Sequence, residues 1–311
     1  MEARKLELKI SVIISTYNGE RYIEEQMTSI LHQSRNPDEV LILDDCSSDN
    51  TTMIINNFIK NNNLNDTWSL FINNANQGWR KNFKKGLYMA TGDIVFPCDQ
   101  DDIWTQDKLE ICERIMGENS KIQLLTSGYT KFTDKIPAIT RNSSYTVTQH
   151  SYKENLFRIN YPGCTFCVKK EFLQQIVDFW DEIFPHDAAI LRFANMVDGF
   201  YSTDAKLILW RKYAESSFSR ELKARKKENE KMEWISYAKT MIYQLENYIR
   251  IEMVSDGLQK EKILDKNKKW ILLREKLFIT HKKIYIIKLL RYFNCYPYKS
   301  MFFSDILMAI K

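Results

Sequence analysis

The chain has 311 residues, 44% of them apolar and 27% charged, enough for one large domain or a medium domain with an appendage, and it contains neither a solenoid repeat nor a low-complexity tract. No stretch reaches the ~20 apolar residues of a membrane span. The charge is uneven: residues 221–311 hold 20 Lys/Arg against 11 Asp/Glu, whereas residues 1–220 hold 25 against 29, so an acidic front precedes a basic back and the two are expected to meet different partners.

The charged start MEARKLELKI has no secretory h-region, and the six cysteines (46, 98, 112, 164, 167, 295) include only one CxxC. They read as reduced, packed thiols in a cytoplasmic protein, with no second pair to complete a zinc site. Residues 8–16 are a β-branched run ending at Tyr17-Asn18-Gly19, which predicts a buried strand. Tyr22, Ile23, Met27, Ile30 and Leu31 then recur at helical spacing. Val40–Leu43 is a second strand, followed by Asp44-Asp45-Cys46-Ser47-Ser48-Asp49, where Ser48 or Asp49 caps a helix over 50–60. Trp68–Ile72 is a third strand, 80–90 a helix, and Ile94–Phe96 a fourth strand running into Asp99-Gln100-Asp101-Asp102. Residues 121–170 read as mixed strands and loops. A helix begins near Lys170, another covers 187–196, and Leu207–Trp210 is a last strand. Beyond a boundary near 220 the pattern is helical, with Trp234, Tyr237, Met241, Leu245 and Tyr248 on one face.

The β-α-β-α-β-α-β order predicts a Rossmann-like α/β domain with a mainly parallel mixed sheet, followed by a mostly α-helical C-terminal region. Ligands of such sheets sit outside the carboxyl ends of the strands. Thr16-Tyr17-Asn18, Asp44-Asp45 and Asp99–Asp102 all fall there. A leaving diphosphate needs its charge neutralised, and a hard divalent cation held by one or two carboxylates does this. Asp99-x-Asp101 suits that task, although acidic residues at a turn are common without any ion, Asp102 then serving as a helix cap. Asp44-Asp45 suit recognition of a nucleoside through its base imino N–H or ribose hydroxyls, and equally a capping turn. Asp187, after Pro185-His186, either caps its helix or takes a proton from an acceptor hydroxyl. Arg80, Arg211 and Lys212 are cations that meet phosphates or stay exposed.

Several of these motifs together resemble the inverting family 2 glycosyltransferases of GT-A fold. The matching pieces are SVIISTYNGERYIEEQMTSILHQS (11–34), EVLILDDCSSDNT (39–51), NQGWRKNFKKGLYMATGDIVFPCDQDDIW (76–104), YPGCTFCVKKEF (161–172), PHDAAI (185–190) and LILWRKY (207–213). The resemblance implies a catalytic domain over 1–220 that binds a nucleotide-sugar donor through Thr16, Tyr17, Asn18, Asp44, Asp45, Arg80, Asp99, Gln100 and Arg211. It implies Mn²⁺ or Mg²⁺ on Asp99 and Asp101, and Asp187 as the catalytic base. DQDDIW and the His186-Asp187 pair are most similar to bacterial rhamnosyltransferases of surface polysaccharide synthesis. That narrower likeness implies dTDP-rhamnose as donor, or another UDP- or dTDP-hexose, and a lipid-linked or oligosaccharide acceptor. One departure stands out: Tyr213 occupies the place of a histidine that relatives use beside the metal or diphosphate.

Residues 221–311 then read as a basic, aromatic region for a membrane surface at the inner face of the cell membrane, or as a bundle that packs on the catalytic domain or pairs two subunits. Three other readings fit the sequence less well. A nucleotidyltransferase needs a Gly-rich phosphate loop, which Tyr17-Asn18-Gly19-Glu20 is not. A Rossmann dehydrogenase needs the absent GxGxxG. A nucleic-acid-binding protein is opposed by the acidic front half, so no nucleic-acid partner is expected.

Overall fold

The computed structural model describes residues 7–133, 135–138, 142, 144–212, 230–251 and 256–310. The expected boundary near 220 and Tyr213 lie outside the described residues.

The first half follows the expected alternation: β1 (Ile10–Thr16), α1 (Ile23–Leu31), β2 (Glu39–Asp44), α2 (Thr51–Asn61), β3 (Trp68–Ile72), α3 (Trp79–Met89) and β4 (Ile94–Asp99). Next come β5 (Ile103–Trp104), α4 (Lys108–Glu118), β6 (Leu124–Phe132), β7 (Val147–Gln149), β8 (Phe166–Lys169), α5 (Lys170–Ile176), α6 (His186–Met196) and β9 (Phe200–Arg211). The sheet runs β3-β2-β1-β4-β8-β6-β9-β5, with β7 also on β9. The long ladders β1–β2, β1–β4, β2–β3 and β6–β9 are parallel. The antiparallel ones, β4–β8, β6–β8, β5–β9 and β7–β9, pair only two or three residues each. This is the mainly parallel mixed sheet of a Rossmann-like GT-A fold.

Both faces of the central strands β1, β2 and β4 are covered, which is why they read as continuous apolar runs. Alternation along β1 sends Val12 and Ile14 into a core shared with Ile23, Met27 and Ile30 of α1 and Ile55 of α2, while Ile13 points to the opposite core with Leu87, Phe172 and Phe193. The last strand begins seven residues before its expected start. Its opening half, Phe200–Lys206, alternates buried and exposed positions, and its polar members hide it in the sequence.

The C-terminal region forms α7 (Glu230–Ile251), α8 (Gly257–Thr280), α9 (Ile284–Leu290) and α10 (Lys299–Ile310). These helices pack on the α/β part: Tyr237 meets Phe184 edge-on at 4.9 Å, Tyr248 meets Phe193 at 5.1 Å, and Trp234 meets Phe157 at 5.2 Å. Buried aromatics of this kind carry ~150–250 Å² each and dominate such interfaces. Lys260 ties the region further, donating to the Met196 carbonyl and to Asp198 at the end of α6. Within it, Arg274 and Asp305 form an ion pair at 2.7 Å with both side chains essentially buried. No described helix is long and apolar enough to cross a membrane.

Candidate active site

The carboxyl ends of β1, β2 and β4 lie side by side and form a polar floor. At β2, both oxygens of buried Asp44 are committed: Oδ2 accepts from the Thr16 hydroxyl at 2.9 Å and the Ser47 hydroxyl at 2.5 Å, and Oδ1 from the Ser47 amide. Asp45 reaches the other way. Its Oδ1 accepts from Asn73 Nδ2 and the Gln77 amide, and its Oδ2 from the Gly78 amide at 2.8 Å. Gly78 has φ of 88°, a backbone setting open to glycine, and it opens α3. Asn82 closes the network by donating to Ser15 Oγ and the Leu43 carbonyl. Thr16, Asp44 and Asp45 therefore build the floor as much as they line it. Among the described residues Asp45 Oδ2 accepts from the Gly78 amide alone, and a carboxylate offers about four acceptor positions. Asp49 is structural, accepting from the Thr51 amide and hydroxyl.

Around this floor, half-exposed Tyr17 is held by Gln100, whose Oε1 accepts from the Tyr17 amide while its Nε2 donates to the Tyr17 carbonyl. Asn18, at φ of 48°, accepts from the Ser48 amide. Gln100 thus positions the β1 turn. Arg80 lies over Trp79, 4.3 Å from the ring centroid.

The acidic segment after β4 crowds its carboxylates, and after burial the Asp101 charge is the largest influence on Asp99. Asp99, Asp102 and Cys164 present ligand atoms that all lie within 4.8 Å of one another. Asp101 stands beside that trio rather than in it. Asp102 is not a helix cap: α4 starts six residues on, and Asp102 is 1% exposed just before β5. Its Oδ1 accepts from the Arg211 amide at 3.0 Å, while Oδ2 is buried with no hydrogen-bond partner of normal geometry. Burial, then the Asp101 and Asp187 charges, raise the Asp99 carboxyl to about 7. Burial followed by Asp101 and Asp99 pushes Asp102 up, and burial followed by Asp102 and Asp99 pushes the Cys164 thiol up. Crowded, desolvated acids with an orphaned oxygen are a fitting donor set for a divalent cation.

Arg211 corrects an expectation. Instead of facing the site as a free diphosphate ligand, it is 8% exposed, sandwiched between Tyr22 (4.4 Å) and Phe132 (4.5 Å) and paired with Glu25. Its Nε donates to the Asp101 carbonyl at 2.9 Å. It clamps the acidic loop. The cation whose charge reaches Asp99 is Lys212, lodged 3.2 Å over the Trp210 ring.

Asp187 lies in the first turn of α6, with its Oδ1 accepting from the Ala188 amide, and it is close enough to Asp99 to raise that carboxyl. Neighbouring His186 is buried against Phe83 (4.3 Å), and both ring nitrogens lack partners. It fits only because residue 163 is glycine: a Cβ there would stand 1.9 Å from His186 Nε2. Tyr237 of α7 has its hydroxyl pKa raised, first by burial, and lies near enough to Asp187 and Arg80 for their charges to act on it. Sequence reasoning missed Asp102, Cys164 and Tyr237. The CxxC gave a cue, but its two sulfurs face apart, Cys164 toward the acids and Cys167 toward Cys112.

The fold is a Rossmann-like α/β sheet whose carboxyl edge, where ligands of such sheets bind, gathers acidic groups. The sequence profile of Glycosyl transferase family 2 matches residues 11–181, more than half of the chain. The chain belongs to this family, and the matched segment is a glycosyltransferase domain. Among curated relatives, the dTDP-rhamnosyl transferase RfbG of Shigella flexneri is 32% identical over 181 residues, 53% of this chain and 57% of that protein. The poly(ribitol-phosphate) beta-N-acetylglucosaminyltransferase TarS of Staphylococcus aureus is 32% identical over 120 residues, 38% of this chain and 20% of TarS. The chain spans about half, or less, of the length of the curated relatives it matches. Of solved structures, TarS with UDP-GlcNAc superposes with a TM-score of 0.60 at 17% identity, covering 96% of this chain and 81% of that one. The mannosyltransferase PcManGT of Pyrobaculum calidifontis with GDP-Man and Mn²⁺ gives 0.51 at 17% identity, covering 98% and 84%. These superpositions show a shared fold.

Proposed function

We propose that the protein is an inverting glycosyltransferase that moves a sugar from a nucleotide-sugar to a hydroxyl of a growing bacterial polysaccharide or lipid-linked acceptor, with residues 1–220 as the catalytic domain. The observation that carries this reading is that Asp187, in the first turn of α6, lies near enough to Asp99 at the end of β4 for its charge to raise that carboxyl. The acceptor O–H gives its proton to Asp187, its oxygen bonds to the anomeric carbon, and the opposite bond to the diphosphate breaks, so configuration inverts. Asp99 and Asp101 would hold Mn²⁺ or Mg²⁺, which when bound neutralises charge on the departing diphosphate. Arg211 keeps that loop in place through the Asp101 carbonyl and the Asp102 carboxylate. Thr16, Tyr17, Asn18, Asp45 and Gln100 form the nucleoside end.

Rhamnose from dTDP-rhamnose is the favoured donor, supported by the likeness to RfbG. The likeness to TarS supports a UDP-hexose as the second reading. The polysaccharide acceptor is supported by RfbG's neighbours among the relatives, including a putative teichuronic acid glycosyltransferase of Bacillus subtilis. Association with the inner membrane face is supported by α9 and its flanks. Ile284, Ile287 and Leu290 are exposed there, and residues 276–304 carry six Lys/Arg and no Asp or Glu.

Calorimetry with a panel of nucleoside diphosphates and nucleotide-sugars, with and without Mn²⁺, tests the reading. Binding of one donor with turnover abolished in Asp187→Asn supports it. Full transfer by Asp187→Asn removes the base, and no donor bound in the presence of acceptor removes the function.

A further inference from the structure

We propose that the cavity between residues 150–161 and the C-terminal half of α6 is an oxyanion subsite that takes a phosphate carried on the acceptor chain. The acceptor assignment rests on the proposed transfer function, and the anion site itself does not.

The cavity encloses about 140 Å³, room for a group several waters in size, since one water occupies about 30 Å³. Its polar wall is made by His150, Lys153 and Arg158 with Asn155, Asn160 and Asn195, and no Asp or Glu is among the described residues that line it. The acids that neighbour this wall in sequence are drawn away by α8. Glu154 pairs with Lys266 at 2.7 Å, and Asp198 pairs with Lys260 at 2.6 Å. Among the described residues neither Lys153 nor Arg158 has a carboxylate partner. Arg158 is pre-set for an oxyanion: its Nε donates to Asn160 Oδ1 at 2.9 Å, which fixes one edge of the guanidinium and leaves the terminal nitrogens to meet a ligand. His150 is held as firmly, stacked on Phe200 at 4.5 Å with its Nε2 2.7 Å from Ser202 Oγ. Burial, then the charge of Lys153, keeps its imidazole below the ordinary histidine pKa, so the ammonium lies close by. Cations gathered without acids repel one another, and a phosphate seated among them exchanges that repulsion for charge-assisted hydrogen bonds.

Position ties the cavity to the transfer site. Leu191 and Asn195 in its wall follow Asp187 by one and two helical turns, about 6 and 12 Å along α6. Residues 150–163 run beside that helix in the reverse sense. His150 meets Phe200 just beyond its end, the Phe157 carbonyl accepts from Arg192, and Gly163 meets His186 at its start. An acceptor that offers its hydroxyl to Asp187 has a phosphate a short way along its chain within reach of these cations.

The test follows the His150 imidazole C–H signal by proton NMR in the full protein without donor, at constant ionic strength so that screening stays fixed. The chain has four histidines, and His150→Gln assigns the signal. Inorganic phosphate and glycerol 3-phosphate are titrated in turn, with glycerol as the uncharged control. Both anions should move the signal saturably, glycerol 3-phosphate at lower concentration, and glycerol should leave it in place. Arg158→Gln should weaken both anions by more than about tenfold, the scale of one charged hydrogen bond, and Lys153→Gln should weaken them as well. Both side chains are exposed, and circular dichroism checks that each variant is folded. A signal that stays still, moves equally with glycerol, or saturates unchanged in both folded variants overturns the subsite. Inorganic phosphate binding as tightly as glycerol 3-phosphate assigns the cavity to free phosphate and overturns the acceptor. Transfer persisting without phosphate binding removes the subsite and leaves the proposed function, whereas phosphate binding in a protein that binds no donor removes the acceptor role and leaves the anion site.

Discussion

Asp45→Asn separates a residue that only touches ligand from one that holds the cleft together. In the ligand-free protein Asp45 accepts from the Gln77 and Gly78 amides and from Asn73, and Asn73 in turn donates to Asn82 and accepts from Lys85. An asparagine keeps one acceptor oxygen and turns an amide NH₂ toward one of two backbone N–H groups. A hydrogen bond to a charged group contributes about 1.5–3 kcal/mol, and a buried donor left without a partner costs about 1–3 kcal/mol. Together these predict a loss of roughly 3–5 kcal/mol. The network is shared, so the value sits toward the upper end. Urea unfolding of both proteins without nucleotide measures it directly, and calorimetry with the preferred nucleoside diphosphate reads affinity. If Asp45 served only to recognise a base, stability would be unchanged and affinity alone would fall. An apo stability within about 0.5 kcal/mol of the parent, the ordinary range for a surface substitution, would refute the clamp.

Gly163→Ala drives a Cβ against His186 Nε2, so the start of α6 must shift. Transfer activity is expected to fall by more than about tenfold with donor affinity retained, since small misplacements of catalytic groups are costly. Arg274→Met leaves the Asp305 carboxylate buried with Lys231 and Tyr296 as its remaining partners. Loss of such a pair costs about 3–5 kcal/mol, and thermal melting should show the drop. Burial holds the His186 pKa below 6.5. Below that pH the unfolded chain takes up a proton that the folded one refuses, so stability falls as pH drops through about 6.5 and below, and is flat above it. The slope is at most about 1.4 kcal/mol per pH unit for one proton, and urea midpoints of His186→Gln should lack that share of it. Ile287→Glu with Lys288→Glu should abolish sedimentation with phosphatidylserine vesicles while leaving donor binding intact.

The alternation of β-branched runs with helical spacing through residue 99 was readable because both faces of that sheet are dry and the pattern has a single solution. Trp68–Ile72 and the helix carrying Asp187 emerged at nearly their observed bounds as well, although that strand is the half-exposed edge of the sheet. The placement of polar clusters at strand ends likewise follows from the order of elements alone. What the residues themselves do there was decided by partners far along the chain. Asp101 and Asp102 are adjacent and chemically identical, and only the Arg211 amide, reached through β9, turns Asp102 inward. Cys164 joins Asp99 because β8 is inserted antiparallel between β4 and β6, a pairing of few residues that leaves little trace in periodicity. Arg211 was a free cation on paper and is a buried clamp in space, since Tyr22 and Glu25 at the start of α1 and Phe132 at the end of β6 converge on it. Local pattern reports which face of an element is dry. Which two charged groups meet, and which oxygen is left without a partner, depends on contacts between segments that no single window of sequence contains.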